Sequence, residues 1–274
     1  MATWNARDGD AKRRHFSRVG MSHAQGSSHS APHQVRFLIL SRQRSASTTL
    51  VRMIDEHPNA TCLMELLNPG GPKLHFLSAR LVLPNTSAAA LDQLRTALSV
   101  TTHADAMQDL PGLMERFWRW CPHTTCGFKV FDGHVRPPAS LGQLLGRAPR
   151  RPRLILLERE NVTAEHASWQ QAVRTGNWGR TPLEQRLAGS PGTIPRPLYA
   201  DSVSLARFRE MHASWFLEAE KLAAKVPTLR LTTEEMLRSP HGLARTRSLV
   251  YQFLGLDAAG RRRCATPLVL ACFA

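Results

Sequence analysis

The sequence predicts an α/β fold with a central parallel sheet flanked by helices. Three short and almost wholly apolar runs have the length of strands and each precedes a polar segment: 35–40, 127–131 and 154–157. Strands without polar alternation are typical of parallel sheets, in which both faces are covered. A fourth strand is predicted at 228–232, after a long helical pattern, and the alternation of strands with helices indicates one α/β domain.

The first predicted unit is a strand, a polar loop and a helix. After the run at 35–40 and a turn rich in Ser, Arg and Thr, helical spacing is kept by Leu50, Val51 and Ile54. A His-Pro pair at 57–58 ends this helix, because proline disfavours helical backbone in the residue before it.

Three more helices are predicted towards the end of the chain. One follows the strand at 154–157, begins near Asn161 and ends at Gly176, and the last runs from Leu243 to Leu254. Between them lies an amphipathic helix with its apolar residues on one face: Leu205, Phe208, Met211, Trp215, Ala219 and Leu222.

The composition indicates which partners the chain favours. Its 274 residues include 36 Lys and Arg against 21 Asp and Glu, a net charge of +15 that favours polyanions or phosphorylated small molecules. A membrane helix needs about 18 consecutive apolar residues, and no stretch of the sequence approaches that length. We therefore expect no membrane span.

The ends of the chain differ in composition from its middle. Residues 1–34 are rich in Ser, His, Arg and Gly and are predicted to be a disordered basic tail, whereas 35–274 form a single domain. The tail lacks the apolar region of a secretory signal, so a cytoplasmic location is expected, with organelle targeting left open. Five scattered cysteines also favour a reducing compartment, and Cys121 and Cys126 are expected to be two half-buried thiols rather than metal ligands.

The loop after the first strand, 41–50, has the chemistry of a phosphate site. It holds two arginines and several hydroxyl residues, and it leads into a helix whose first N–H groups have no acceptor within the helix. It has neither the glycines nor the lysine of the G-x-x-x-x-G-K-[ST] loop that binds ATP or GTP. A cluster of ordinary helix-capping residues is the alternative interpretation.

The segment Phe37–Leu50 resembles the 5′-phosphosulfate loop of the sulfotransferase family, typically written P-R-S-G-S-T or P-K-S-G-T-T. The resemblance implies a P-loop-containing nucleotide-binding fold. It also implies 3′-phosphoadenylyl sulfate (PAPS) as sulfonate donor, adenosine 3′,5′-bisphosphate (PAP) as product, and no metal. It assigns donor binding to these loop residues: Arg42, Arg44, Ser45, Ala46, Ser47, Thr48 and Thr49. Gln43 replaces the family's Pro and Ala46 its Gly. Because alanine tolerates positive φ poorly, the turn is expected to take an allowed conformation or to relax.

A second segment, 156–178, is similar to the L-x-R-E-N…S…A-x-x-T-G-x-W pattern of bacterial-type carbohydrate sulfotransferases, the branch that includes trehalose sulfotransferase. That family holds the donor's 3′-phosphate with an Arg at a strand end and a Ser on the next helix, which correspond here to Arg159 and Ser168. Taken singly, Arg159 is explained as well by an ion pair with Glu158 or Glu160, and Ser168 as a plain helix serine. The two motifs in the family's order favour the resemblance.

The resemblance also assigns the catalytic groups. The family places an acidic base after the first helix, often within G-E-L-F-N-P, and the stretch Leu63–Pro69 assigns that role and acceptor contact to Glu65. A solvated carboxylate is the alternative. Arg44 would neutralise charge that develops on the bridging oxygen during in-line displacement. His57 and His134 are further base candidates, because other branches of the family use histidine.

Two more residues are assigned by position. Thr233 stands where the family's R-Y-E-D-L-L stretch has Tyr and is predicted to line the adenine pocket, and Trp178 is predicted to be a wall of the acceptor pocket. The resemblance covers about 35–257. Beyond it the family continues with a basic segment that closes over the nucleotide, where this chain has Arg261–Arg263 and an apolar end.

The predicted function is that of a PAPS-dependent sulfotransferase acting on a hydroxyl of a carbohydrate or small molecule. A non-catalytic relative that binds PAP or polyanions is the alternative, which the net charge of +15 favours. Nucleic-acid binding through the basic tail is a third interpretation and the weakest, because no aromatic residues are interleaved with the basic ones as a stacking platform.

Overall fold

The structure, a computed structural model, describes residues 34–64, 66–67, 93–94, 96–98, 103–134, 142, 151–175 and 203–257. Its strands are β1 (Val35–Ser41), β2 (Ala60–Leu63), β3 (Thr125–Phe131), β4 (Arg153–Glu158) and β5 (Thr228–Thr232). Its helices are α1 (Ser47–Asp55), α2 (His103–Gln108), α3 (Leu110–Trp120), α4 (Val162–Thr175), α5 (Leu205–Ala223), α6 (Thr233–Leu237) and α7 (Pro240–Leu254).

The five described strands form one sheet in the order β2-β3-β1-β4-β5, and every neighbouring pair is parallel. The predicted α/β class, a parallel sheet flanked by helices, is therefore confirmed. All residues of β3 are buried, as are the last five of β1, which explains why these strands lack polar alternation. Gly127 is needed at the centre of the sheet, since a Cβ there would lie 2.5 Å from the carbonyl oxygen of Phe37.

The predicted elements match the structure closely where their patterns are long. Both α4 and α5 lie where helical spacing predicted them, and Asn161 caps α4 by accepting a hydrogen bond from the N–H of Ala164 at 2.9 Å. The last helix begins earlier than predicted, because Ser239 caps it and Pro240 occupies its first turn.

Four elements were not predicted: β2, α2, α3 and α6. Strand β2 has only four residues, too few for a periodicity signal. Helix α3 begins with Leu110-Pro111-Gly112, which is typical of a loop, yet Asp109 caps it by accepting from the N–H of Gly112.

The expectation of two half-buried thiols at the start of β3 is wrong. Cys121 and Cys126 form a disulfide with a Cα–Cα distance of 6.3 Å, and it joins the end of α3 to β3. The sequence argument counted cysteines over the whole chain, whereas this pairing depends on a short turn that brings two nearby cysteines together. Cys62 is buried and free.

The strand order places a crevice at the carboxyl ends of β1 and β4, which are neighbours in the sheet. After β1 the chain runs through α1 towards β2 at one edge of the sheet, and after β4 it runs through α4 and α5 towards β5 at the other. In parallel α/β sheets, ligands bind beyond the carboxyl ends of strands at such a switch point. The loop 42–46 and the start of α4 both lie at this carboxyl end of the sheet.

Several predicted segments lie outside the described residues. These are the basic tail up to residue 33, the basic segment Arg261–Arg263 and the chain end. Within the described part, no helix combines the length and the hydropathy that crossing a membrane requires.

Candidate functional site

The start of α1 has no side-chain cap. Its N-cap residue is Ala46, which makes no capping hydrogen bond, whereas α3, α5, α6 and α7 are each capped by an Asp, Ser or Thr side chain. The first N–H groups of a helix lack intrahelical acceptors and carry a partial positive charge. The end of α1 that faces the crevice therefore suits an anion.

The loop before α1 has an unusual backbone. Arg44 and Ala46 have φ values of 66° and 56°, and they are the non-glycine residues with positive φ among those the structure describes. The turn does not avoid the left-handed region at Ala46. Ala46 takes this conformation at a cost of about 1–2 kcal/mol for a residue with a Cβ. Positive φ on both sides of Ser45 resembles the alternating backbone of an anion-binding nest.

Arg44, Arg159 and Ser168 lie together at the crevice. The Nε of Arg44 donates to Oγ of Ser168 at 2.9 Å, and a terminal nitrogen of Arg159 donates to the carbonyl oxygen of Arg44 at 3.1 Å. The two motifs, 124 residues apart for Arg44 and Ser168, thus form one cluster. Chain topology explains this, because β1 and β4 are neighbours.

The cluster brings two positive charges close together. Among the described ion pairs, neither Arg44 nor Arg159 contacts a carboxylate. The Nε of Arg159 is buried without a hydrogen-bond partner. Burial, together with the nearby charge of Arg159, lowers the pKa of Arg44. An anion bound between the two guanidinium groups would relieve this repulsion and could accept hydrogen bonds from both.

The hydroxyl residues of the loop occupy different environments. Ser45 is fully buried and its hydroxyl donates to the carbonyl oxygen of Arg42 at 2.7 Å, so the side chain closes the turn from within. Ser47 is buried, whereas Thr48 and Thr49 are partly exposed at the start of α1. Direct contact of these hydroxyls with a bound sulfonate donor stays a prediction.

Arg42 belongs to a buried network that the sequence did not reveal. Its Nε lies 3.0 Å from Oδ2 of Asp132 and 3.9 Å from a carboxyl oxygen of Glu165, and its guanidinium lies over the ring of Phe208 at 4.3 Å. Arg42 itself is only 4% exposed. These contacts attach the base of the loop to β3, α4 and α5, and a direct contact of Arg42 with a donor stays a prediction.

Glu165 has a second neighbour in this network, His212. The Nε2 of His212 lies 3.5 Å from Oε2 of Glu165. Burial raises the pKa of Glu165 to about 8, against the opposing charge of Arg42. Burial, together with the charge of Arg42, lowers the pKa of His212 to about 4. At neutral pH both groups are therefore mostly uncharged, and Asp132 is the carboxylate that balances Arg42.

The junction between β5 and α6 contacts both loops of the cluster. Thr233 is buried and its hydroxyl donates to the carbonyl oxygen of Ser45 at 2.8 Å. The carboxylate of Glu234 accepts from the N–H groups of Glu160 and Asn161 at 3.0 and 3.1 Å. A contact of Thr233 with adenine stays a prediction.

The two residues predicted to contact the acceptor are not among those that the structure describes. Glu65 and Trp178 lie outside the described residues. Of the alternative bases, His57 lies beyond the far end of α1 from the loop, with Nε2 3.0 Å from the carbonyl oxygen of Asp257. His134 follows β3 at the crevice edge, and its Nδ1 accepts from the N–H of Phe131 at 3.2 Å.

A second group of buried polar residues lies along β2 and β3. Lys129 is fully buried, with its ammonium 4.3 Å from the centre of the Phe131 ring. Asp55 accepts from the N–H of Cys62 at 3.2 Å, and burial raises the pKa of Asp55 to about 6. A lysine within the apolar run at 127–131 was the signal in the sequence that could have indicated this group.

A pocket borders the loop on the side of α4 and α5. Its walls combine large apolar side chains with polar groups of the Arg42 network: Arg42, Gln43, Asp132, Trp169, Val203, Phe208 and Met211. Among the described residues, no group of three or more His, Cys, Asp or Glu is placed to hold a metal ion.

Comparisons with known proteins find similar folds. No protein-family model matches the chain, and no curated protein does so either. Several solved structures are similar to it at low identity. A sulfotransferase domain from the curacin biosynthetic pathway has 16% identity and a TM-score of 0.44, with 83% of this chain and 76% of that chain covered.

Two further structures show the same level of likeness. A sulfotransferase from Alicyclobacillus acidocaldarius has 14% identity and a TM-score of 0.45, with 82% of each chain covered. The sulfotransferase domain of the olefin synthase from Synechococcus PCC 7002 has 16% identity and a TM-score of 0.44, with 86% of this chain and 78% of that chain covered. These likenesses concern the fold and do not single out the carbohydrate branch.

Proposed function

We propose that the protein is a PAPS-dependent sulfotransferase that acts on a hydroxyl group of a small molecule or carbohydrate. One observation carries this proposal: Arg44 and Arg159, two arginines without a described carboxylate partner, lie beside the uncapped start of α1, where Arg159 donates to the backbone carbonyl oxygen of Arg44. Such a cluster fits a ligand with several anionic groups. PAPS carries a phosphosulfate and a separate 3′-phosphate, which matches two neighbouring loops that each contribute an arginine.

The residues of the cluster have separate roles in the proposal. The backbone N–H groups at the start of α1 and the hydroxyls of Ser47, Thr48 and Thr49 hold the 5′-phosphate. Arg159 and Ser168 hold the 3′-phosphate. Arg44, between them, also opposes the negative charge that builds up on the leaving phosphate.

The donor supplies the sulfonate group. In the proposed reaction, a bond forms between the acceptor oxygen and sulfur while the bond between sulfur and the bridging phosphate oxygen breaks, and PAP leaves with the electron pair. Glu65 takes the proton of the acceptor hydroxyl. The side chains need no metal for these roles.

A narrow pocket beside the loop, with Trp169, Phe208 and Met211 among its walls, marks the side on which we propose that the acceptor binds. Trp178 is proposed as a further wall. Arg42 and Asp132 supply polar groups at its base.

The test combines binding with turnover. We expect PAPS and PAP to raise the melting temperature while ATP does not, and we expect transfer of labelled sulfonate to at least one hydroxyl compound of an acceptor panel. Ser168→Ala removes one donor to the 3′-phosphate and should weaken PAP binding about tenfold. Ser214→Ala, an exposed serine of α5, is the matched control.

Glu65→Gln tests the base separately. This variant should bind PAP as the wild type does and lose transfer by at least about a hundredfold, since a general base contributes roughly 10²–10⁴ to a rate. Full activity of Glu65→Gln would remove Glu65 from the mechanism. Equal stabilisation by ATP and PAPS would contradict the proposed donor.

A further inference from the structure

The junction between β5 and α6 reaches the two loops that carry the candidate anion site. In the sheet, β4 lies between β1 and β5, so the three strand ends stand side by side. Thr233 reaches past the end of β4 to the carbonyl oxygen of Ser45, 188 residues away in the chain. Glu234, the next residue, binds the two N–H groups that lead into α4.

The contact with Ser45 falls where the loop is strained. Ser45 lies between Arg44 and Ala46, whose positive φ values each cost free energy. Such a backbone persists only when surrounding contacts hold it. Two donors do so here, since Arg159 binds the carbonyl oxygen of Arg44 and Thr233 binds that of Ser45.

The contact of Glu234 has a consequence for the second loop. Its carboxylate occupies the N–H groups of Glu160 and Asn161, which would otherwise be free to bind an anion at the helix start. An anion at this loop must then be held by side chains, and the position of Arg159 and Ser168 depends on how firmly the helix start is fixed.

We propose that Thr233 and Glu234 are positioning residues that hold the loop 44–46 and the residues 159–161 at the separation that a doubly anionic ligand requires. The inference rests on the proposed function for the identity of that ligand, PAP. The contacts of Thr233 and Glu234 with the two loops are observed in the structure and do not depend on the proposed function. In this proposal both residues act by holding the two loops and not by touching the ligand, so it stands in place of the prediction that Thr233 lines the adenine pocket.

Amide hydrogen exchange in the ligand-free protein tests the contacts. Thr233→Val removes the hydroxyl at constant shape, and exchange of the amides at 44–47 should become at least tenfold faster. Glu234→Asp keeps the charge but shortens the side chain, so that it cannot reach both N–H groups, and exchange of the amides at 160–161 should become faster. Glu235→Asp, at the exposed neighbour, is the matched control and should leave both regions unchanged.

Binding of PAP at a temperature well below unfolding tests the positioning role. Thr233→Val and Glu234→Asp should each raise the Kd of PAP about tenfold, the effect of one hydrogen bond of about 1.4 kcal/mol. Thr233→Ser restores the hydroxyl and should bind within twofold of the wild type. A merely structural role would lower the melting temperature of Thr233→Val and leave its Kd unchanged.

The outcomes separate the two proposals. Unchanged exchange in both variants overturns the positioning role whatever the protein binds. Faster exchange with an unchanged Kd overturns it as well, because the contacts would then not set the site. Wild-type protein that fails to bind PAP contradicts the proposed function alone, and inorganic sulfate then replaces PAP as the probe of the same variants, judged by the same Kd criterion.

Discussion

Ala46 adopts a backbone conformation that glycine takes without steric cost. Ala46→Gly should therefore stabilise the protein by about 1 kcal/mol, because it removes the clash between Cβ and the backbone at positive φ. For a chain of this size the melting temperature should rise by roughly 2–4 °C. Thermal unfolding followed by circular dichroism measures the shift.

An alanine in ordinary helical backbone provides the control. Ala213→Gly, at an exposed position of α5, should destabilise the protein by about 1 kcal/mol, since glycine lowers helix propensity. Opposite signs for the two substitutions are expected. A fall in melting temperature for both would mean that the left-handed turn at Ala46 is absent from the protein in solution.

Glu165 gives the stability a dependence on pH. Its folded-state pKa of about 8 lies above the ordinary value of 4.5, so the unfolded chain loses this proton at lower pH than the folded protein does. Its cost to folding is absent below about pH 4.5 and grows as pH rises towards 8. Glu165→Gln, a neutral isostere, should gain on the order of 3 kcal/mol relative to the wild type between pH 5 and pH 8.

Urea unfolding at several pH values measures this difference. His212, whose pKa is lowered to about 4, costs stability as pH falls through its unfolded value of 6.5. Because His212 lies 3.5 Å from Glu165, the two proteins are best compared above pH 6.5, where His212 is mostly neutral in the folded and the unfolded chain. Glu210→Gln, at an exposed residue of α5, is the control and should track the wild type. A constant difference between Glu165→Gln and wild type from pH 6.5 to pH 8 would show that Glu165 is ionised in the folded protein at pH 6.5.

Part of the candidate site follows from the sequence residue by residue. Arg159 comes directly after β4 and Arg44 three residues after β1, so their closeness could be predicted once β1 and β4 were taken as neighbours. Glu165 and His212 could not be assigned to a network, because a buried carboxylate in a helical pattern looks like a solvated one. Their meeting depends on how α4 packs on α5.

At the scale of elements, the disulfide joins α3 to β3 across a short turn. Closing so small a loop should stabilise the protein by about 2 kcal/mol through the lower entropy of the unfolded chain. We expect dithiothreitol to lower the melting temperature of the wild type. The double variant Cys121→Ala, Cys126→Ala should melt lower and no longer respond to the reductant.

Peptide mapping without reduction checks the pairing directly. It should recover Cys121 linked to Cys126 from air-oxidised protein, while Cys62 reacts with an alkylating reagent only after unfolding. Alkylation of Cys121 and Cys126 in the oxidised, unfolded protein would contradict the bond. The same protein would then show no response to dithiothreitol.

Helices with long amphipathic patterns and strands with wholly apolar runs could be predicted, whereas β2, α2, α3 and α6 could not. The amphipathic pattern of α5 extends over nineteen residues and gives its face and its bounds. By contrast, β2 lies at the edge of the sheet and has only four residues. It is stabilised by its pairing with β3, which its own sequence does not indicate. Helix α6, with five residues, depends on Thr232 as its cap.

At the scale of the whole molecule, the strand order decides which loops meet. Apolar runs alone do not show that β1 lies between β3 and β4, or that β5 follows β4 at the edge. That order brings the start of α6 to the loop after β1, which explains why the contact of Thr233 with Ser45 could not be predicted. The position of each motif directly after a strand could be predicted, because it depends only on the local order of residues in the chain.

The net charge of +15 and the arginine cluster predict two kinds of anion binding that can be separated. Attraction of a polyanion such as heparin depends on the summed charge and is screened by salt, so retention on a heparin column should fall steeply between 0.05 and 0.5 M NaCl, where the Debye length shrinks from about 14 Å to about 4 Å. Arg159→Ala changes that sum by one and should elute close to the wild type.

Unlike heparin retention, PAP binding should be weakened strongly by the same substitution, Arg159→Ala. Arg159→Ala removes a charged hydrogen-bond donor from a partly buried site and should raise the Kd of PAP by roughly 10–100-fold. Arg207→Ala, an exposed arginine of α5 paired with Glu210, removes the same charge elsewhere and should leave that Kd unchanged. If both variants weakened PAP and heparin binding alike, the protein would bind anions through its overall field. The non-catalytic polyanion-binding alternative would then replace the sulfotransferase proposal.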